Sequence, residues 1–215
     1  LGIDLKKLYC EPDGTFPNHH PDPSVKENLE DLIREIKSGE YDFGIAFDGD
    51  GDRVGVVDEN GEIIWSDQLI SLFLPEIIKD GEDILYDVKC SKSLEDMIIR
   101  YGGNPIMWKT GHSLIKKKMS EINCKLGGEM SGHIFFADDY YGYDDATYVA
   151  ARLAQLLSRT DKTLSELASE IPTYYSTPEI RLEAKNDTEK FRITNEAVNY
   201  FNNQYDCITI DGVRI

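Results

Sequence analysis

The run Asp48-Gly49-Asp50-Gly51-Asp52-Arg53 stands between two short apolar stretches, Phe43-Gly44-Ile45-Ala46-Phe47 and Val54-Gly55-Val56-Val57. Few folds accommodate this pattern. The flanking stretches have strand length and are apolar, with β-branched residues in both, so they predict buried strands. Three carboxylates in the loop between them repel one another unless a cation sits among them. Alternate residues of an extended chain point the same way, which predicts that Asp48, Asp50 and Asp52 converge on one side. The intervening glycines allow a tight bend. Oxygen-only ligands suit Mg²⁺ or Ca²⁺ over thiophilic metals. Arg53 adds donors suited to phosphate. An EF-hand is rejected although Asp48, Asp50, Asp52 and Glu59 match its ligand spacing. Arg53 stands where that loop needs glycine, and the flanks are strands instead of helices. A solvated acidic turn conflicts with the apolar flanks.

Around this loop the chain alternates strands and helices. Residues 9–24 are rich in Pro, Asp, Asn and His and predict an ordered loop. The neighbouring His19 and His20 face apart on an extended chain, so no shared metal is expected there. From Ser24, residues Val25, Leu29, Leu32, Ile33 and Ile36 form one helical stripe that ends before Gly39. Asp58-Glu59-Asn60-Gly61 predicts a hairpin turn, with Ile63-Ile64-Trp65 returning. A helix capped by Ser66 and interrupted at Pro75 follows. Further on come a strand at 84–88, a helix at 91–101, a strand at 105–108 and a helix from the Lys109-Thr110-Gly111-His112-Ser113 turn to about residue 122. Strands at 124–126 and 134–136 flank a glycine-rich loop. A long helix spans about 144–158, and Thr163 with Glu166 predicts a capping box. Residues 173–177 read as a linker, followed by a strand at 178–182, a helix at 188–202 and a strand at 207–210. The alternation predicts an α/β layer structure.

The glycine-rich loop is Gly127-Gly128-Glu129-Met130-Ser131-Gly132-His133. Glu129 and Ser131 alternate, so both can face one cleft. A carboxylate beside a hydroxyl suits the vicinal hydroxyls of a sugar. A histidine's unperturbed pKa lies near neutrality, so His133 suits proton exchange with a hydroxyl. The alternative is a buried turn whose polar groups serve the local backbone. Lys89, at a strand exit, and the turn through Gly111 and His112, at a helix N-terminus, lie where α/β sheets gather ligands and anions. The run Lys116-Lys117-Lys118 reads as a solvated helix face.

A net charge of −17 excludes nucleic-acid backbones and anionic membranes as partners. A phosphorylated small molecule stays possible, because a metal and local cations can reverse the sign inside one cleft. No apolar run approaches the roughly 20 residues of a membrane-spanning helix, and no signal-peptide pattern is visible. Cys10, Cys90, Cys124 and Cys207 form no CxxC pair, which points to reduced thiols in the cytoplasm. The chain opens Leu1-Gly2-Ile3-Asp4 and stops at Ile215 in a strand-like run, so a fragment of a longer protein is expected.

Together, the acidic run and the Gly127–His133 loop resemble the α-D-phosphohexomutase superfamily. Met130 resembles its bacterial phosphomannomutase/phosphoglucomutase group; phosphoglucosamine mutases usually carry glutamine there. Asp87-Val88-Lys89-Cys90-Ser91, Lys109-Thr110-Gly111-His112-Ser113 and Gly142-Tyr143-Asp144-Asp145 extend the likeness along nearly the whole chain. The resemblance implies mixed sheets layered with helices. Residues 1–62 would be the C-terminal part of domain 2, 63–174 domain 3, and 175–215 the N-terminal part of domain 4. The phosphoserine of domain 1 and the phosphate-gripping loop of domain 4 would lie outside the chain, leaving it inactive alone.

The family reaction moves phosphate between the 1- and 6-positions of a hexose through a phosphoserine and a bisphosphorylated sugar. By that resemblance Asp48, Asp50 and Asp52 hold Mg²⁺ with a phosphoserine oxygen, and Arg53 steadies the phosphoryl group. Glu129 and Ser131 hold sugar hydroxyls. Lys89, Gly111, His112, His133 and Asp144 line the cleft, with Arg53, His133 and Lys89 closest to the chemistry. The implied partners are a phosphorylated hexose and the remaining domains of the same chain. A non-catalytic divalent-metal or sugar-binding module and a metal-dependent phosphatase stand as alternatives.

Overall fold

The acidic run closes a hairpin. In the computed structural model, which describes residues 3–175, Thr177, Ile180 and 182–215, β1 (Phe43–Phe47) pairs antiparallel with β2 (Val54–Asp58). Phe47 faces Val54, so residues 48–53 form the connecting loop. β3 (Ile63–Ile64) returns beside β2 to complete a three-stranded sheet. The Asp58 carboxylate shapes that second turn, accepting from Asn60 N at 2.9 Å and Glu62 N at 2.8 Å. A 3-10 turn at Lys26–Leu29 leads into α1 (Glu30–Ser38), which packs on β1. Leu29 and Ile36, both on the sequence stripe, are buried.

A second, mixed sheet carries the rest. Its strands are β4 (Asp83–Asp87), β5 (Asn104–Trp108), β6 (Leu126–Gly128) and β7 (Ile134–Phe136), in the order β5-β4-β6-β7. β4 runs parallel to β5 and β6, and β7 runs antiparallel to β6. The helices are α2 (Ser66–Ile77), α3 (Lys92–Arg100), α4 (His112–Ile122), α5 (Ala146–Leu157), α6 (Leu164–Ala168) and α7 (Asp187–Asn202).

Strand alternation sorts the core into two layers. Ile84, Tyr86, Leu126, Ile134 and Phe136 meet Ile70 and Phe73 of α2, Leu94 and Ile98 of α3, and Val149 and Leu153 of α5. Leu85 and Phe135 point to the opposite face and meet Ile115 and Met119 of α4 with Cys124. Each fully buried Leu, Ile or Phe contributes about 1.5–3 kcal/mol by leaving water, so the first layer dominates stability. Helices therefore cover both faces of a mostly parallel sheet, the α/β layering predicted from sequence.

Several local expectations change. Pro75 does not interrupt α2, which runs on to Ile77. The proline sits in the last turn, and burial of Leu72, Phe73, Leu74 and Ile77 outweighs the lost backbone bond. The N-cap of α2 is Trp65, whose N–H donates to Gln68 Oε1 at 3.0 Å. Ser66 instead donates its hydroxyl to Glu129 O at 2.6 Å. The strand expected at 124–126 begins at Leu126, because the Cys124 thiol turns back to Asp83 O and Leu126 O. The capping box of Thr163 and Glu166 is present.

The strand placed at 178–182 falls largely outside the described residues. At 207–210 only a bridge between Ile208 and Arg214 is described. Cys10, Cys90, Cys124 and Cys207 are free thiols. Among the described residues no helix is long and apolar enough to cross a membrane.

Candidate active site

Asp48 organises the acidic loop. Its Oδ1 accepts from Gly51 N at 2.9 Å and from Asp52 N and Arg53 N, both at 3.1 Å. Its Oδ2 accepts from Arg53 Nε at 2.8 Å. The loop is thus wound around one carboxylate, with Gly51 at φ +78°. Convergence of the aspartates comes from this turn and not from extended alternation. Asp48, Asp50 and Asp52 each offer an oxygen within 4.8 Å of the others. Burial would push the Asp48 carboxyl up, but the Arg53 bonds outweigh it and hold it below the usual carboxylate range. The Asp52 carboxyl is pushed up by burial, by its bond with Asp48 and by negative neighbours, against the pull of His133. Arg53 is anchored as well as charged, since its Nη1 donates to Asp22 Oδ1 at 3.0 Å.

The second loop lies against the first. Val54 N donates to Gly132 O at 3.1 Å, and Arg53 and His133 form an antiparallel bridge. Ala146 N donates to Gly51 O at 3.0 Å from the start of α5. His133 Nε2 comes within 3.3 Å of Asp52 Oδ1, and its Nδ1 lies 3.1 Å from Glu129 Oε2 and 3.0 Å from Ser131 Oγ. Burial works against a charge on His133, but Glu129, Asp52 and Asp144 together raise its pKa. The His112 ring stacks on His133 at 5.3 Å, and its Nδ1 lies 3.0 Å from Asp144 Oδ2. Lys116 Nζ donates to Asp144 Oδ1 at 2.8 Å, so it turns inward from what the sequence presents as a solvated face. Despite burial, the bonds from Lys116 and His112 hold Asp144 below the usual carboxylate range. Asp52, His112, His133 and Asp144 form a second group with ligand atoms within 4.8 Å.

The mixed sheet explains this gathering. The C-terminal ends of β4, β5 and β6 and the start of β7 share one edge, where α/β sheets bind ligands. Lys89 stands exposed on the turn after β4, Gly111 and His112 follow β5, and Glu129, Ser131 and His133 join β6 to β7. Glu129 is 1% exposed, and its Oε1 accepts from Gly111 N.

Buried Asp87 supports the edge from below. Its Oδ1 accepts from Met130 N and the Cys90 thiol, and its Oδ2 from Thr110 Oγ1, each at 3.1 Å. Burial pushes its carboxyl up. Asp67 accepts from Ser91 N at 2.9 Å on the far side of the Lys89 turn. Sequence reasoning missed Asp22, Asp67, Asp87 and Lys116 as site neighbours. Only Asp87 carried a signal, as the first residue of the Asp87–Ser91 motif that extends the family likeness.

Models of two domains match the sequence. The description of the first is phosphoglucomutase/phosphomannomutase alpha/beta/alpha domain III, over residues 65–175, and that of the second is domain II, over residues 1–61. A phosphomannomutase/phosphoglucomutase of Pseudomonas aeruginosa is 49% identical over 218 residues, covering 100% of this chain and 47% of that protein. A phosphoglucomutase of Neisseria gonorrhoeae is 42% identical over 219 residues, with the same two coverages. The crystal structure of a phosphoglucomutase/phosphomannomutase family protein from Burkholderia thailandensis superposes with a TM-score of 0.89 at 43% identity, over 98% of this chain and 45% of that one. The chain spans about half the length of the curated relatives it matches. With matched domains, shared fold and near-half identity in agreement, the chain belongs to the phosphoglucomutase/phosphomannomutase family of α-D-phosphohexomutases.

Proposed function

We propose that this chain supplies the metal loop and the sugar-recognition loop of a phosphohexomutase. The full-length enzyme interconverts the 1- and 6-phosphates of a hexose, mannose or glucose, through a phosphoserine and a bisphosphorylated sugar. The observation that carries this reading is the joining of the two loops. Val54 N bonds Gly132 O, and His133 Nε2 stands 3.3 Å from Asp52 Oδ1. A group held by the acidic loop and a sugar held by Glu129 and Ser131 would therefore be neighbours.

The donor set supports magnesium. Asp48, Asp50 and Asp52 offer oxygen alone, and the Asp52 carboxyl is raised by burial first and then by the neighbouring carboxylates, whose crowding a divalent cation relieves. When bound, the metal stabilises charge on the transferring phosphoryl group. The chain's own residues position the reactants. Asp22 and Asp48 hold the Arg53 guanidinium at the loop for phosphate contact. Glu129, fixed by Gly111 N, and Ser131 present acceptors to vicinal hydroxyls. His133 stands where a proton can pass to or from a sugar hydroxyl. Lys89, His112 and Asp144 complete the cleft wall.

In this reading residues 1–62 belong to domain 2, 63–174 to domain 3 and 175–215 to domain 4. The phosphoserine comes from a part of the longer protein that this chain does not span. The free thiols favour a cytoplasmic enzyme. The test assays the full-length protein, and separately this chain, for conversion of glucose 1-phosphate and mannose 1-phosphate to the 6-phosphates, with Mg²⁺ and with EDTA. Turnover is expected from the full-length protein with Mg²⁺ only. No turnover there, or turnover by this chain alone, refutes the proposal.

A further inference from the structure

The far C-terminal turn of the chain reaches back to the sheet edge that carries the site. Ile208 N donates to Arg214 O at 2.8 Å and Arg214 N to Ile208 O at 2.9 Å, so residues 209–213 form a closed loop with Asp211 on it. Two charged side chains leave this loop. Arg214 Nη1 donates to Val88 O at 2.6 Å and to Cys90 O at 2.8 Å. Those two carbonyls flank Lys89, in a turn closed by Cys90 N donating to Asp87 O at 3.1 Å. Asp211 Oδ2 accepts from Thr110 N at 3.1 Å. Thr110 precedes Gly111, whose own N–H goes to Glu129.

These contacts join residues between 101 and 126 positions apart, so they arise from docking and not from local chain geometry. Both charged groups bond backbone atoms. Their effect therefore falls on where Lys89 and Gly111 stand. On its other side the Lys89 turn is held by Asp67, through Ser91 N. Without Arg214 the Val88 and Cys90 carbonyls on either side of Lys89 would lose their charged donor, leaving the turn to the bonds from Val88 N to Trp108 O, from Cys90 to Asp87 and from Ser91 N to Asp67. Without Asp211 the Thr110 N–H would lose its partner.

We propose that Arg214 and Asp211 are positioning residues of the phosphosugar cleft, clasping the two strand-end turns that carry Lys89 and Gly111–His112. The proposal rests on the mutase reading above. Its test uses the full-length protein with Arg214→Gln, Arg214→Lys and Asp211→Asn, alone and combined with Lys89→Ala. Steady-state kinetics on a hexose 1-phosphate are measured beside amide hydrogen exchange of residues 86–92 and 108–112. Arg214→Gln should raise KM roughly tenfold with a much smaller change in kcat, as expected for charged hydrogen bonds that act through binding geometry. Arg214→Lys should recover part of that loss. In the Lys89→Ala background the Arg214→Gln effect should shrink, because both act through one contact.

Asp211→Asn should speed exchange at Thr110, and it carries the test if Arg214→Gln does not fold. With an active wild type, an unchanged KM in Arg214→Gln and Asp211→Asn overturns the proposal, as does full additivity with Lys89→Ala. An inactive wild type overturns the mutase reading instead. Exchange then still decides the clasp, and unchanged protection at Thr110 and Cys90 refutes it.

Discussion

Gly132 is the position where the acidic loop and the glycine-rich loop come closest, and Gly132→Ala measures what that approach contributes. The residue has φ +106°, a value L side chains rarely adopt. That strain costs on the order of 1–3 kcal/mol. An added Cβ would stand 2.9 Å from Val54 O, 3.2 Å from Val54 N and 3.3 Å from the Arg53 Cβ. Two of these atoms are backbone of β2, so no rotamer change relieves the contact. Relief must stretch the 3.1 Å bond from Val54 N to Gly132 O, worth about 1 kcal/mol net. The sum is about 2–4 kcal/mol, or roughly 5–15 °C in Tm for a chain of this size.

Gly51→Ala provides the comparison. Gly51 also has positive φ, +78°, but an added Cβ meets nothing within 4 Å. Its cost should be the dihedral cost alone, about 1–2 kcal/mol. Urea unfolding of both variants and the parent chain gives the two values. A Gly132→Ala cost indistinguishable from that of Gly51→Ala, or below about 0.5 kcal/mol, would refute the claim that close approach of the two loops is a structural contact.

Other expected outcomes are quickly stated. Asp50→Asn in the full-length protein should lower kcat on the order of 10²-fold while KM changes little, since charge stabilisation matters most at the transition state. Calorimetric Mg²⁺ titration of the same variant should show weaker binding, and near-normal values in both assays would remove Asp50 from the site. Glu129→Ala leaves Gly111 N–H without its buried acceptor and takes one of its two neighbours, Glu129 beside Ser131, from His133 Nδ1, so thermal unfolding should register a loss of about 1–3 kcal/mol. Wild-type stability and kinetics would take Glu129 out of the cleft.

Glu82 predicts a pH effect. Backbone bonds from Asp80, the Lys125 ammonium and the Lys79 N–H lower its pKa to about 2. Its depressed folded pKa adds stability above the unfolded value near 4.5, and that stability is lost as pH falls towards about 2. Tm followed over this window should fall less steeply in Glu82→Gln than in the parent, and equal slopes would contradict the assignment.

What could be learned from sequence divides by range. The acidic hairpin was legible because its pattern is local: charged loop residues between strands that must be buried. The Asn60-Gly61 turn and the Thr163 capping box were legible for the same reason. Pro75 misled, because a proline signals a break from its own chemistry while the helix persists through contacts elsewhere. Lys116 misled in the same way. It stands in a run of three lysines that reads as charge facing water, and only the fold brings Asp144 beside it.

The supports of the site were the least legible part. Asp22 to Arg53, Ser66 to Glu129 and Arg214 to Val88 each join distant segments. No periodicity or spacing encodes such pairs. The resemblance to a family brought Lys89, His112 and Asp144 to attention, whereas spacing alone placed Lys89 and His112 only at promising strand and helix ends.

The bond from Val54 N to Gly132 O and that from Ala146 N to Gly51 O also bear on how chimeras between relatives would behave. Residues 48–54 are held to 129–133 and to the start of α5 through main-chain atoms, which any donor sequence also carries. Side-chain identity across the seam matters mainly at Gly132 and at the pair His133 and Asp52. A graft that moves the acidic hairpin alone therefore exchanges one half of a two-part joint. A graft that moves residues 48–54 together with 127–133 carries the joint intact, and those two segments form the natural unit of exchange between family members.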